Sequence, residues 1–318
     1  MIKLLEIKEL IKRIYNAYSV FIIPVLKFFL AFIALFVINS NVGYFYLLSN
    51  VVVEMTISLA CMFLPISGIA VVISLVIVGD LYGLSVFACL AVLIVFVVMY
   101  LLFFRFSPKH GILLIAIPVL FFMNIPYIVP ILAGLMTSPI AILPAILGLY
   151  TYFMLSNIGM NAQELKAIGT DDPVALIKDV LLNGLKDEAF IVSAIAFVAV
   201  IIVVYVVRRL AIDYSHYIAI GVGTVLMVVI MLVGSLKFQL EPHATAASVI
   251  IGGIISCLIA LIVDFFVLTV DYSRTEFVQF EDDDYYYYVK AVPKIKVTAP
   301  QVMVRRINAQ KAKKDKQA

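Results

Sequence analysis

Charge is what this chain has least of. Only 14% of its 318 residues are Asp, Glu, Lys or Arg, against 64% hydrophobic residues, and the mean hydropathy is +1.14. That balance excludes a soluble enzyme, since soluble domains carry about a quarter charged residues. Cysteine is scarce as well. Cys61, Cys89 and Cys257 each sit inside an apolar run, at no spacing that closes a disulfide framework or a zinc site, so three inert thiols and no metal centre are expected. Enzyme signatures are missing too. There is no His-Glu-x-x-His, no Gly-x-Ser-x-Gly, no phosphate-cradling glycine loop and no carboxylate pair on one helical face within the apolar runs. No catalytic residue and no cofactor is assigned, and the protein is not expected to be an enzyme.

What is present is a series of apolar runs of about 20 residues, the length a helix needs to cross roughly 30 Å of hydrocarbon. The expected fold is an all-α polytopic membrane protein. From Ser19 to Met160 the only charged residues are Lys27, Glu54, Asp80, Arg105 and Lys109. Residues 1–18 place Leu4, Ile7, Ile11 and Ile14 at helical spacing opposite Lys3, Lys8, Lys12 and Arg13, which predicts an amphipathic helix lying on anionic lipid. No small-residue cleavage site follows, so the first span, Val20 to Ile38, is expected to act as its own insertion signal. Further spans are expected over Leu84–Phe104, Pro139–Ser156, Phe190–Val207, Tyr217–Leu236 and Ala246–Val270.

Two stretches do not divide into spans. Val51–Val78 is broken by Pro65, and Ile112–Met136 by Pro118, Pro126 and Pro130. Each arm is only about 17 to 21 Å long at 1.5 Å per residue, which suits a hairpin that enters and leaves by one face with proline at its apex. The charge distribution bears on this. Lys and Arg collect on the cytoplasmic side, and the basic clusters are the amino-terminal helix, Arg105 with Lys109, Arg208 with Arg209, and Arg305 with Arg306. All fall inside, and the acidic segment 161–188 falls outside, if there are about six full spans plus two re-entrant hairpins of opposite orientation. That is the inverted-repeat plan of many transporters. Eight to ten spans, with the hairpin arms crossing as thin helices, satisfies the same parity.

The chain then reads as an interfacial helix (1–18), a membrane module with an inverted hairpin repeat (19–160), an external amphipathic segment (161–188), a three-helix membrane module (189–270) and a cytoplasmic tail (271–318). Both termini are expected in the cytoplasm, with the protein integral to the cell membrane. Thr170-Asp171-Asp172-Pro173 reads as a helix start capped by Asp172, and its helix is expected on the outer leaflet or over the bundle.

Ionisable groups in hydrocarbon are the default functional candidates. Glu54 is the foremost substrate-or-ion candidate, within reach of Lys27 if the two pair. Lys27 can equally snorkel to the interface. Asp264 is a proton or cation candidate that also suits an interfacial position. Ser67 and Gly68 at the first apex, and Asn124 at the second, are candidates for orienting free backbone groups toward a ligand. His110, His216 and His243 are read as solvated or loop residues.

Phe63-Leu64-Pro65-Ile66-Ser67 resembles the apex motif of the undecaprenyl-diphosphate phosphatase family, which is also built from inverted repeats with re-entrant hairpins. The likeness covers five residues. Ser58 and Met62 stand where that family has its glutamates, Gly68-Ile69-Ala70 lacks its His, and no Pro-Gly-x-Ser-Arg follows. The resemblance implies a shared hairpin-apex design without phosphatase activity.

In the tail, Thr275–Phe280 and Tyr285–Val289 have strand composition around Glu281, Asp282, Asp283 and Asp284. A lone hairpin is marginal in water, so Tyr285, Tyr286, Tyr287 and Tyr288 are candidates for docking a protein partner or a second copy. The basic residues from Arg305 onward suit anionic lipid rather than nucleic acid. Two functions fit: a secondary transporter or channel-like carrier of a small solute or ion, or a non-catalytic subunit or scaffold that presents the Tyr-rich tail.

Overall fold

A computed structural model describes residues 2–106, 111–167, 173–210, 212–238, 245–267, 276–281 and 285–291. Their helices are α1 (Ile2–Val42), α2 (Val51–Cys61), α3 (Ile66–Tyr82), α4 (Val86–Phe106), α5 (Ile112–Phe122), α6 (Ile128–Met136), α7 (Ile142–Met160), α8 (Ala162–Ala167), α9 (Pro173–Lys186), α10 (Glu188–Val207), α11 (Ser215–Phe238) and α12 (Ala246–Val267). Strands β1 (Glu276–Glu281) and β2 (Tyr286–Ala291) follow. Five stretches are long and apolar enough to cross a membrane: Arg13–Val42, Pro139–Met160, Glu188–Val207, Ser215–Phe238 and Ala246–Val267. Large apolar side chains such as Val20, Phe21, Leu75, Leu101, Val225 and Leu236 lie exposed along the helices, while Phe153, Phe197, Leu35 and Leu135 are fully buried. Exposed apolar flanks around a buried core are what a bilayer rather than water accommodates. The architecture is that of an all-α, membrane-embedded protein.

Helical dihedrals in α1 break at Tyr18 (φ −118°, ψ 22°), where the amphipathic turns give way to the apolar ones. Beyond Tyr18 the helix is the post against which the first Pro-broken stretch folds. Both α2 and α3 pack on α1 more than on each other. Glu54, in the first turn of α2, meets Asn39 of α1. The chain then descends to Leu64, whose carbonyl accepts from Lys27 Nζ at 2.9 Å. Lys27 lies twelve residues before Asn39, about 18 Å down the helix. From Pro65 the chain climbs again, and Gly83 at the end of α3 returns to the backbone of Tyr44 and Phe45, just past the top of α1. The stretch therefore turns back beside the middle of α1. Its proline is the N-cap residue of α3, with φ −65° and ψ 159°, so the missing donor falls where no helical bond is needed.

The second Pro-broken stretch also reverses. Running parallel to α7, α5 packs Leu113 and Ile117 on Gly148, and Phe121 on Tyr152 and Phe153. It stops at Asn124, which adopts φ +60°. Asn124 N–H donates to Phe121 O and Ile125 N–H to Leu120 O, the paired bonds of a Schellman ending with Asn in the left-handed position. Then α6 leads to Leu135 and Thr137, whose carbonyls are held by the Arg208 guanidinium at the foot of α10. Its apex sits by Asn41 and Ser248, fourteen residues or about 21 Å beyond Lys27 along α1. The two apexes thus lie at different depths.

The amphipathic α9 is not a free surface helix. Tyr150 Oη donates to Leu181 O at 2.9 Å, and Gly184 rests against the backbone of Met154. It runs alongside α7, with further contacts to α4 and α10. Asp171, Asp172, His110, His243, Asp282, Asp283, Asp284 and the basic segment 292–318 lie outside the described residues.

Candidate functional site

Two ends of the bundle can be named by their residues: the Asn39 end, where α1 and α7 finish, and the Arg208 end, where α10 finishes. At the Asn39 end, three side chains from three helices converge beneath the loop Gly43–Asn50. Asn39, Glu54 and Asp80 are respectively 8%, 3% and 0% exposed. Asn39 Nδ2 donates to Glu54 Oε1 at 2.8 Å and to Leu48 O at 2.9 Å. Asp80 is near enough to Glu54 to feel its charge. Four oxygens of these three side chains have no hydrogen-bond partner among the described residues: Asn39 Oδ1, Glu54 Oε2, and both carboxylate oxygens of Asp80; elsewhere Ser256 Oγ, Asp264 Oδ1 and His216 Nδ1 share that state.

Local sequence builds this pocket. Asn50 caps α2, its side chain accepting from Val52 N–H at 2.9 Å, and so fixes Glu54 in the first turn, where the helix dipole favours a carboxylate. Asp80 stands instead in the last turn of α3, whose dipole disfavours one. Gly43 and Gly83 let the loop close over the acids. A Cβ at Gly43 would meet Asn39 O at 2.3 Å, and one at Gly83 would meet Tyr44 O at 2.7 Å. An ionised carboxylate buried without a partner costs several kcal/mol, so this arrangement persists only if the acids hold protons or an external cation.

Beside it lies a cavity of about 310 Å³, lined by Asn41, Asn124, Tyr127, Tyr152, Ser156 and Ser248 together with apolar residues. Its volume is at the lower limit for a small-molecule site. None of its lining side chains is charged. Asn39 and Asn41 belong to the last turn of α1, so one helical turn touches both the acid pocket and the cavity.

Of the residues singled out from sequence, Glu54 is in the acid pocket and Asn124 is at the cavity. Ser67 and Gly68 are at the first apex and line neither. Lys27 does not pair with Glu54. It bonds the Leu64 carbonyl at the first apex, a cation placed just beyond the C-terminal end of α2, as that helix's dipole favours. Asp264 is 3% exposed at the Arg208 end, with its Oδ1 3.8 Å from His216 Nδ1 and the Lys8 ammonium within range of its charge. Lys8 also donates to Phe265 O at 2.7 Å. His216, expected to be solvated, is therefore a partner of Asp264. Sequence reasoning missed Asp80 and Asn39 as site residues. Asp80 had one usable signal, an acid a single turn inside an apolar run.

Tyr285, Tyr286 and Tyr288 are exposed on or beside the antiparallel β1–β2 hairpin, and Phe280 stacks on Tyr287 at 4.9 Å. Among the described residues no three His, Cys, Asp or Glu side chains cluster as a metal site. Set against known family models, curated proteins and solved structures, the chain matches none. What its own structure defines is a class: a polytopic, helical, membrane-embedded protein with a polar interior at one end.

Proposed function

We propose that the protein is a secondary transporter or channel-like carrier of a small solute or ion, with α2–α3 and α5–α6 as hairpins entering the bilayer from opposite faces. The observation that carries this reading is the set of four partnerless oxygens on Asn39, Glu54 and Asp80 within an apolar bundle. A purely structural bundle gains nothing from burying two acids with no counter-charge, whereas a carrier needs a site whose occupancy alters its stability. The uncharged polar lining of the neighbouring cavity suits a small neutral solute. The shared last turn of α1 gives the two sites a route by which occupation of one biases the other. With both termini cytoplasmic, as the distribution of basic residues favours, the Asn39 end faces outward. No enzymatic step is part of the reading.

The test uses the full chain in liposomes, recording transient currents on a supported membrane for a panel of neutral amino acids, sugars and polyols. The expected result is a current for at least one solute that is largely lost in Asp80→Asn. No current and no tracer flux for any of them would remove the carrier.

A second reading, a non-catalytic scaffold, is favoured by the exposed tyrosines of the β hairpin, which among the described residues is a two-stranded sheet, the kind of edge that strand addition by a protein partner extends. Deleting residues 276–291 would abolish assembly under that reading and leave solute currents intact under the first.

A further inference from the structure

We propose that the pocket of Asn39, Glu54 and Asp80 binds a single hard divalent cation, of the calcium and magnesium class. This deepens the carrier reading and rests on it for the site's purpose, but the binding stands or falls separately.

The donor set is all oxygen, two carboxylates and one amide, with four unpartnered atoms. Oxygen-only sets select hard cations, and sulfur or imidazole ligands suited to softer metals are absent from the three side chains. Charge decides between monovalent and divalent ions. In the segment 19–104 that supplies the pocket's walls, the charged residues are Lys27, Glu54 and Asp80. Lys27 is committed to the Leu64 carbonyl, about 18 Å down α1 from Asn39. The pocket's own charge is therefore −2 when both acids are ionised. A monovalent ion leaves a buried net charge, and a divalent ion leaves none.

Helix ends add to this. The C-terminal turn of α3 beside Asp80 and the last turn of α1 beside Asn39 both present the negative ends of their dipoles, which favour a cation. Access is short. The pocket lies beneath the loop Gly43–Asn50, whose Tyr46 and Leu47 are exposed, and an ion that takes six to eight oxygens would draw its remaining ligands from water admitted when that loop opens. Asn39 orients Glu54 through its amide N–H while leaving its own carbonyl oxygen for the ion.

The experiment measures binding of radiolabelled calcium to the purified full chain in lipid nanodiscs, alongside melting temperature at constant ionic strength in calcium, magnesium, sodium or chelator. Expected are saturation near one ion per chain, a rise in melting temperature with calcium, competition by magnesium, and an affinity at least roughly 30-fold weaker in Glu54→Gln and in Asp80→Asn. Wild-type protein that takes up no calcium overturns the proposal, whatever the variants do. So does stabilisation by sodium alone, or the absence of any cation effect together with raised melting temperatures in both variants, which would mean that the acids are held as protonated groups. Asn39→Asp, which adds a charge without removing an oxygen, keeps calcium binding if the ion is there and only destabilises the pocket if it is not. Calcium binding without solute flux keeps the site and removes the carrier; flux without binding does the reverse.

Discussion

The bundle buries acids at both ends and treats them differently. At the Arg208 end Asp264 has His216 at 3.8 Å and the Lys8 ammonium nearby, and Lys8 also fastens the amino-terminal turns of α1 to the Phe265 carbonyl of α12. At the Asn39 end Glu54 accepts from the Asn39 amide, while Asp80, near enough to feel the charge of Glu54, has no hydrogen-bond partner on either carboxylate oxygen among the described residues. The same residue type is thus a strap where the chain supplies the counter-charge and a binding site where it does not. Hydrogen bonding does not separate the two ends, since Asp264 Oδ1 and His216 Nδ1 also lack a hydrogen-bond partner among the described residues; the nearby cation does.

That contrast can be broken by substitution. The largest effect is expected for Asp80→Asn, which weakens calcium binding by about 2–5 kcal/mol while leaving stability in chelator unchanged or higher, because an unpaired buried charge has gone. Asp264→Asn goes the other way. It strands Lys8 and His216, and because His216 is partly exposed the loss is about 1–3 kcal/mol of stability with calcium binding untouched, read from melting curves and the same binding assay. Equal responses of the two ends would dissolve the distinction. Gly43→Ala, whose Cβ would overlap Asn39 O, is expected to cost about 1–3 kcal/mol and to weaken calcium binding with it. Lys27→Met removes the bond to Leu64 O and should lower stability by about 1 kcal/mol. The smallest change is at the second apex, where Asn124→Gly keeps the left-handed conformation and should stay within about 0.5 kcal/mol of the parent.

Much of the fold was legible in the sequence because hydrocarbon imposes length and polarity on every segment that crosses it. The apolar runs, the prolines at Pro65 and Pro126 and the strand-forming tail follow from local chemistry. The pocket was less legible because its three side chains are brought together only by the return of α3 to the top of α1. Glu54 stood out as an acid in an apolar arm. Asp80 was counted among the few charged residues of the apolar half and given no role, and Asn39 lay just past the expected end of the first span. His216 was likewise invisible as a partner of Asp264, since the pairing depends on α11 packing against α12. The position of α9 was left between two alternatives, the outer leaflet or the bundle, and the structure places it on the bundle. An amphipathic pattern gives a face to bury, but does not say whether lipid or α7 covers it. At Asn124 the residue type was noticed for its polar side chain, whereas what the turn requires is its backbone conformation.

Everything said of the acid pocket depends on α2 and α3 leaving the bilayer where they entered. In a background with the native cysteines replaced, Tyr46→Cys and Tyr82→Cys mark the two bases of that hairpin, and Phe63→Cys marks its apex. A membrane-impermeant maleimide added to one side of sealed vesicles should label both bases from the same side and leave Phe63→Cys unlabelled from either. Labelling of Phe63→Cys from the side opposite to Tyr46→Cys would show two complete crossings and contradict the account.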